Sequence, residues 1–309
     1  MKYLVAYSAD RGGEEALALG TMLSQRNKAK MVVCLILPNT WGYPSMARVD
    51  AEYAAFLDKH AEKAMDKAKA IVGNKLPAQF ITRSYTSAQE GLLATAEDLG
   101  ADMIVLGSSR GATVGKFLEG SVTRNLLHSS KLPVALAPRG FNTGAKTLLG
   151  RMTCAYGATR KSKATVDYCV GFSRKYQVPL RLATFVVRDK QMYPTGAGYQ
   201  IENLVANQWR SQAVAAQKAL LAELTSDVPV KTVIGDGANW KEALQSIGWK
   251  PGEVLVIGSG RLGPLAQVFL GSNGNRIIRN APVPMIIVPR HAHVDFSDEA
   301  DAPAEGAAG

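Results

Sequence analysis

The chain has little of what builds most catalytic or metal centres. Three cysteines, Cys34, Cys154 and Cys169, lie far apart in 309 residues, with no C-x-x-C pair. That spacing argues against a disulfide framework or a thiolate metal site. Two fall in strand-like runs and one in a helical stretch, where cysteine acts as a small buried hydrophobe. The four histidines do not cluster, apart from His291 and His293 at the start of a polar tail. His60 falls in a helix and His128 at a helix end, neither placed for acid–base work. There is no G-x-x-x-x-G-K-[S/T] loop and no H-E-x-x-H helix, and no nucleophile elbow is expected. No apolar run reaches the roughly 20 residues a membrane helix needs. The first residues meet charge too early for a secretory signal, so a cytoplasmic chain with no membrane partner is expected. Aromatic residues make up only 7%, and Lys and Arg are scattered rather than massed, so nucleic acid is not an expected partner.

Charge is present in surplus. The net charge is +10, yet residues 291–309 hold five acidic and no basic residues, leaving +15 on the chain before them. Such a surface favours anionic partners. The final stretch, rich in Asp, Glu, Ala, Pro and Gly, has too little apolar surface to order itself.

The strongest pattern is an internal repeat. Gly107-Ser-Ser-Arg110…Gly120-Ser121 recurs as Gly258-Ser-Gly-Arg261…Gly271-Ser272, shifted by 151 residues. The same shift carries Pro133, Pro138 and Arg139 onto Pro284, Pro289 and Arg290. One offset held through a loop, a helix and a strand marks a duplication. The order of elements repeats with it. Strands are expected at residues 2–7, 31–37, 79–85, 102–106 and 133–138, and helices at 14–25, 50–71, 87–99 and 121–128. Ser87 and Glu90 are placed for a capping box. The second half should have strands at 152–156, 180–186, 228–234, 254–257 and 284–288, and helices at 162–175, 201–224, 240–247 and 272–280. Continuous apolar strands alternating with helices argue for a parallel α/β sheet in each half. The expected organisation is a first domain at 1–139, a linker at 140–150, a second domain at 151–290 and a disordered acidic tail at 291–309.

Gly107 and Gly258 each follow an apolar strand, where ligands of α/β sheets bind. A glycine there turns the chain sharply and leaves backbone N–H groups open. Gly120-Ser121 and Gly271-Ser272 each open a helix, whose first N–H groups suit a phosphate. The competing reading is a plain turn followed by a helix cap.

The spacing G-x2-G-x9-G-[S/T] after the fourth strand, then a short helix, a proline and a last apolar strand, resembles the universal stress protein family. The resemblance spans about residues 1–139 and 151–290, so the chain looks like a tandem member. It implies two doubly wound domains of the adenine nucleotide alpha hydrolase-like type. Each would be an open five-stranded parallel sheet flanked by helices. It also implies ATP binding, with Mg as a companion ion, in a stress-response or regulatory role. The domains would pair through their last strands, at Val134–Leu136 and Met285–Ile287, and further association into a homodimer is open.

On this resemblance the candidate nucleotide residues are Ser8, Asp10, Ile36, Gly107, Arg110, Gly120, Ser121 and Val122, with Gly258, Arg261, Gly271 and Ser272 in the second half. Two departures matter. The middle glycine of the pattern is Arg110 in one copy and Arg261 in the other. The position of an acidic residue after the first strand falls on Ser8 and Gly157, with Asp10 two residues beyond Ser8. An arginine there either blocks close backbone approach, pairs with phosphate through its donors, or simply stands in solvent. Lys116 and Arg124 are expected near the phosphate region, and Trp41, Tyr43 and Pro44 are candidates for a lid. The first half is the better site. A module that binds protein rather than nucleotide, and a slow ATPase using Asp10 to hold Mg, are the alternatives.

Overall fold

Runs of Val, Ile and Leu form strands covered on both faces. The computed structural model describes residues 1–26, 29–39, 48–142, 147–157, 162–188, 199–259, 272–289 and Phe296, with backbone alone at 48–51, 75, 199–205 and 272. The first half runs β1 (Lys2–Ala6), α1 (Arg11–Gln25), β2 (Lys30–Pro38), α2 (Arg48–Val72), β3 (Ala78–Tyr85), α3 (Ala88–Asp98), β4 (Met103–Leu106), α4 (Ser121–Ser129) and β5 (Val134–Leu136). The second runs β6 (Arg151–Ala155), α5 (Lys163–Tyr176), β7 (Leu180–Val187), α6 (Tyr199–Glu223), β8 (Val230–Gly237), α7 (Trp240–Gln245), β9 (Glu253–Gly258), α8 (Ser272–Asn280) and β10 (Met285–Val288).

The strands form one ten-stranded sheet in the order β3-β2-β1-β4-β5-β10-β9-β6-β7-β8. The described pairs are parallel except at the centre. There β5 and β10 run antiparallel, with Leu136 opposite Met285, Ala135 opposite Ile286 and Val134 opposite Ile287. Period-2 alternation sends successive side chains to opposite faces. Tyr3 and Val5 join residues of α1, α2 and α5 in one core, which takes in both halves. Leu4 and Ile104 join residues of α3, α4, α7 and α8 in the other. Arg26, just after α1, clamps the halves by donating to the carbonyls of Tyr176 (2.7 Å), Leu149 (3.1 Å) and Gln177 (2.9 Å).

Several expected boundaries move. α1 begins at Arg11, not Glu14, because Asp10 caps it by accepting from the Gly13 N–H at 3.0 Å. β8 runs on to Gly237, where Gly235-Asp236-Gly237 carries no apolar signal but keeps register with β7. α7 ends at Gln245, and the Ser246 hydroxyl donates to the Ala243 carbonyl. Ser87 caps α3 as expected, accepting from the Glu90 N–H at 3.2 Å, but the Glu90 carboxylate takes the Thr86 hydroxyl instead of closing the box.

The linker is tied at its start, because the Gly140 N–H donates to Glu15 Oε1 at 2.7 Å. Within the tail expected to be disordered, Phe296 is packed. Its ring stands edge-on to Tyr168 (5.4 Å) and Phe172 (6.3 Å), over the notch left by Gly171. One aromatic side chain suffices for this contact, which a composition argument averages away. Among the described residues no helix is long and apolar enough to cross a membrane.

Candidate functional site

The strand order puts β1 beside β4, with β2 and β5 outside them. This is the topological switch point, where a crevice opens beyond the strand ends. Ser8, Asp10, Ile36, Gly107, Arg110, Gly120, Ser121 and Val122 all border one cleft there, of about 320 Å³. Ala88, Leu92 and Cys34 add apolar wall. The volume lies at the small end of the ~300–1,000 Å³ typical of ligand sites. Burial pushes the Cys34 thiol up to about 11 despite the opposing hydrogen bond with Thr95 and the charge of Arg83. It is therefore an inert wall residue rather than a nucleophile.

The glycines divide by role. A Cβ on Gly107 would overlap the Gly12 carbonyl, and one on Gly13 would overlap the Ser8 carbonyl. The start of α1 thus lies directly against the turns after β1 and β4. Gly107 is used for this internal contact, whereas its spacing pointed to an open backbone. Gly120 is different. It is the N-cap of α4, in extended backbone with no side chain to cap the helix. α1, α3 and α7 are each capped by their own Asp10, Ser87 or Asn239. The first N–H groups of a helix lack intrahelical partners, and at α4 that turn borders the cleft through Ser121, Val122 and Thr123.

Asp10 and Arg110 meet across the cleft, Nε to Oδ2 at 3.0 Å. The other carboxylate oxygen accepts from the Ser8 hydroxyl (2.7 Å) and the Gly13 N–H (3.0 Å). Burial works against the Asp10 charge, but the hydrogen bonds from Ser8, Arg110 and Gly13, with the Arg110 charge, hold its carboxyl below the ordinary value. Both oxygens are thereby engaged within the protein, which counts against Asp10 as a metal ligand. Among the described residues no group of acidic, histidine or cysteine side chains could hold a metal.

Residues the sequence reading did not assign to the site hold the loop in place. Ser108 Oγ accepts from the Leu118 N–H at 3.0 Å, and the Ser109 N–H donates to the Leu118 carbonyl at 3.0 Å. Arg139 donates to the Arg110 carbonyl at 2.6 Å and pairs with buried Glu15 at 3.4 Å. The repeat did single out Arg139, though not for this role. Lys116 departs from expectation: its amine reaches the Asn280 carbonyl in the second half, at 3.2 Å. Neither Lys116 nor Arg124 borders the cleft. Trp41, Tyr43 and Pro44 lie outside the described residues. Gly107–Gly111 does spell G-x-S-x-G, the spacing of a nucleophile elbow. A nucleophile elbow, however, needs its serine on a strand-to-helix turn. After β4 no helix begins until Ser121, so Ser109 sits in a loop.

The second half differs. At Gly258 a Cβ would overlap the Thr165 hydroxyl. Arg261 and Gly271 lie outside the described residues, and Ser272 is described by its backbone as the first residue of α8. Strand register gives the equivalences. Cys34 opposes Ala6 as Ala183 opposes Ala155, so Phe185 stands where the first half has Ile36. Trp240 follows the cap Asn239 as Ala88 follows the cap Ser87. The rings of Phe185 and Trp240 lie 6.1 Å apart, tilted by 53°. Two aromatic side chains thus stand in place of the first half's apolar wall.

Comparison with known proteins agrees with this duplicated architecture. The family model described as "Universal stress protein family" matches residues 1–138 and again 149–289. Universal stress proteins of Mycobacterium tuberculosis and Mycobacterium bovis are each 35% identical over 294 residues, covering 94% of this chain and all of the relative. The crystal structure of a universal stress protein from Archaeoglobus fulgidus shares the fold, with a TM-score of 0.62 at 17% identity, covering 94% of this chain and 98% of that one. A universal stress protein structure from Pseudomonas aeruginosa overlays with a TM-score of 0.54 at 11% identity, over 94% of each chain. With both segments matched and full-length relatives at this identity, the chain belongs to the universal stress protein family, as a tandem member with two α/β domains.

Proposed function

We propose that the first-half cleft binds an adenine nucleotide, ATP above all, and that the protein acts in the cytoplasm as a nucleotide-responsive stress or regulatory protein. The observation that carries the reading is the uncapped first turn of α4 at the switch point, bordering a cleft whose other wall is apolar. The phosphates would lie against Gly120, Ser121 and Val122, and the base against Ile36 and Leu92. Arg110 would exchange its bond with Asp10 for one with a phosphate oxygen, a charge-assisted contact. The paired domains, joined by β5 and β10, would form one functional unit. The direct test is calorimetry of ATP, with and without Mg, on the purified chain and on Val122→Asp. That change puts a negative charge into the helix turn where phosphate would sit. ATP binding by the parent that the variant abolishes supports the reading, and a parent that takes no ATP sinks it.

One observation favours a second reading, in which the chain is a protein-interaction module that takes no nucleotide. The Asp10–Arg110 pair already stands across the phosphate side of the cleft. Under this reading the purified protein releases no adenine nucleotide on denaturation and binds none when ATP is added.

A further inference from the structure

Glu15 of α1 is only 4% exposed, yet one of its carboxylate oxygens is left over. Oε1 accepts from the Gly140 N–H at 2.7 Å and from Arg139 at 3.4 Å. Oε2 is buried with no hydrogen-bond partner. Such an oxygen is costly to leave unmet, so a ligand that brings a donor to it gains affinity. Glu15 lines a recess of about 440 Å³ between α1, α2 and the start of the linker, within the ~300–1,000 Å³ of small-molecule sites. Ala18, Ile71 and Phe141 give the recess an apolar wall, and Arg11 stands at its border. Glu14 and Lys67 border it too, but they are bonded to each other at 2.6 Å. Among the described residues, none that lines this recess also lines the cleft of Asp10 and Arg110.

We propose that this recess is a separate binding site for a free amino acid with an apolar side chain. The ligand ammonium donates to Glu15 Oε2. The terminal torsion of a glutamate is broad, so a small turn of the carboxylate presents that oxygen to an entering donor. The ligand carboxylate pairs with the Arg11 guanidinium, a charge-assisted contact. The side chain leaves water against Ala18, Ile71 and Phe141. A simple amine would use Glu15 but not Arg11, and a simple carboxylic acid the reverse. A zwitterion with an apolar side chain uses both charges and the wall. The site stands whether or not the first-half cleft takes ATP.

The test is calorimetric titration of the full chain with L-leucine. Binding should be saturable. 4-Methylpentanoate, which lacks the ammonium, and isopentylamine, which lacks the carboxylate, should each bind about tenfold more weakly, the scale of one charge-assisted hydrogen bond. Glu15→Gln keeps an acceptor for the Gly140 N–H but turns a donor toward the ammonium. It should weaken L-leucine about tenfold and leave 4-methylpentanoate unchanged. Arg11→Gln should weaken L-leucine and 4-methylpentanoate alike and leave isopentylamine unchanged. Absence of saturable L-leucine binding, equal affinity for L-leucine and 4-methylpentanoate, or unchanged L-leucine affinity in both variants would overturn the proposal. Circular dichroism checks the fold of each variant. Should Glu15→Gln fail to fold, the ligand series on the parent and exposed Arg11→Gln decide.

Discussion

Asp10 Oδ2 and Arg110 Nε lie 3.0 Å apart, joining the turn after β1 to the loop after β4. The Arg110 side chain is 83% exposed, so the pair adds little to stability. Its weight lies in position, because the guanidinium stands where the family pattern has a glycine and beside an uncapped helix turn.

Arg110→Ala should weaken ATP binding about tenfold, the scale of one charge-assisted hydrogen bond. Calorimetry at fixed salt reads this directly. Equal affinity would remove Arg110 from the site. A gain in affinity on Arg110→Gly would mean that the arginine obstructs the phosphates.

Asp10→Asn keeps a good N-cap residue but removes the charge. The carboxyl is held below its ordinary value in the fold, so its charge contributes stability above the unfolded-state pKa of about 3.9. That contribution fades as pH falls through the lower folded value. The melting-temperature gap between parent and variant should be full at neutral pH and should close only on strong acidification. A gap independent of pH would contradict this.

Gly107→Ala should destabilise the fold by about 1–3 kcal/mol, because the new methyl meets the Gly12 carbonyl. Gly111→Ala, whose methyl would meet only a Leu118 methyl at 3.5 Å, should be nearly silent. Paired urea melts compare them, and equal effects would mean that the close approach of α1 is relieved elsewhere.

Glu253 is buried at the start of β9 and accepts from Arg151 (2.6 Å), Arg181 (2.7 Å), the Lys250 N–H (2.9 Å) and the Thr153 hydroxyl. Glu253→Gln leaves buried Arg181 without its counter-charge and should cost about 3–5 kcal/mol. The exposed pair Arg174–Asp227 is the control, since Asp227→Asn should barely move the melting point. Calorimetric unfolding should show the Glu253→Gln loss.

A chain ended after residue 296 should melt with the parent, and one ended after residue 295 should melt lower. Only the second loses the ring packed on Tyr168 and Phe172. Equal melting of the two would show that this contact carries no weight.

The inner strands such as β2, β4 and β9 were legible because strands covered on both faces are written as continuous apolar runs. The end of β8 and the start of α1 were not. Gly235-Asp236-Gly237 is held by register rather than by burial of side chains, and Gly12-Gly13 reads as a turn until the neighbouring carbonyls are in view. Glycine spacing found the first-half cleft but could not show that Gly107 serves α1, or that Arg110 meets a residue 100 positions away. The change of wall in the second half was hidden for another reason. The offset is 151 at the glycine loop but 149 from Cys34 to Ala183 and 152 from Ser87 to Asn239, so the shift of the glycine loop sets Val187, not Phe185, against Ile36.

The antiparallel seam between Val134–Leu136 and Met285–Ile287 turns the two halves head to tail. Carboxyl ends of the first five strands therefore leave the sheet along one edge, and those of the last five along the opposite edge. Two ligands bound beyond those ends would never share a wall. A change of wall in one half therefore leaves the cleft of the other untouched, because the strands of the two halves end on opposite sides of one ten-stranded sheet.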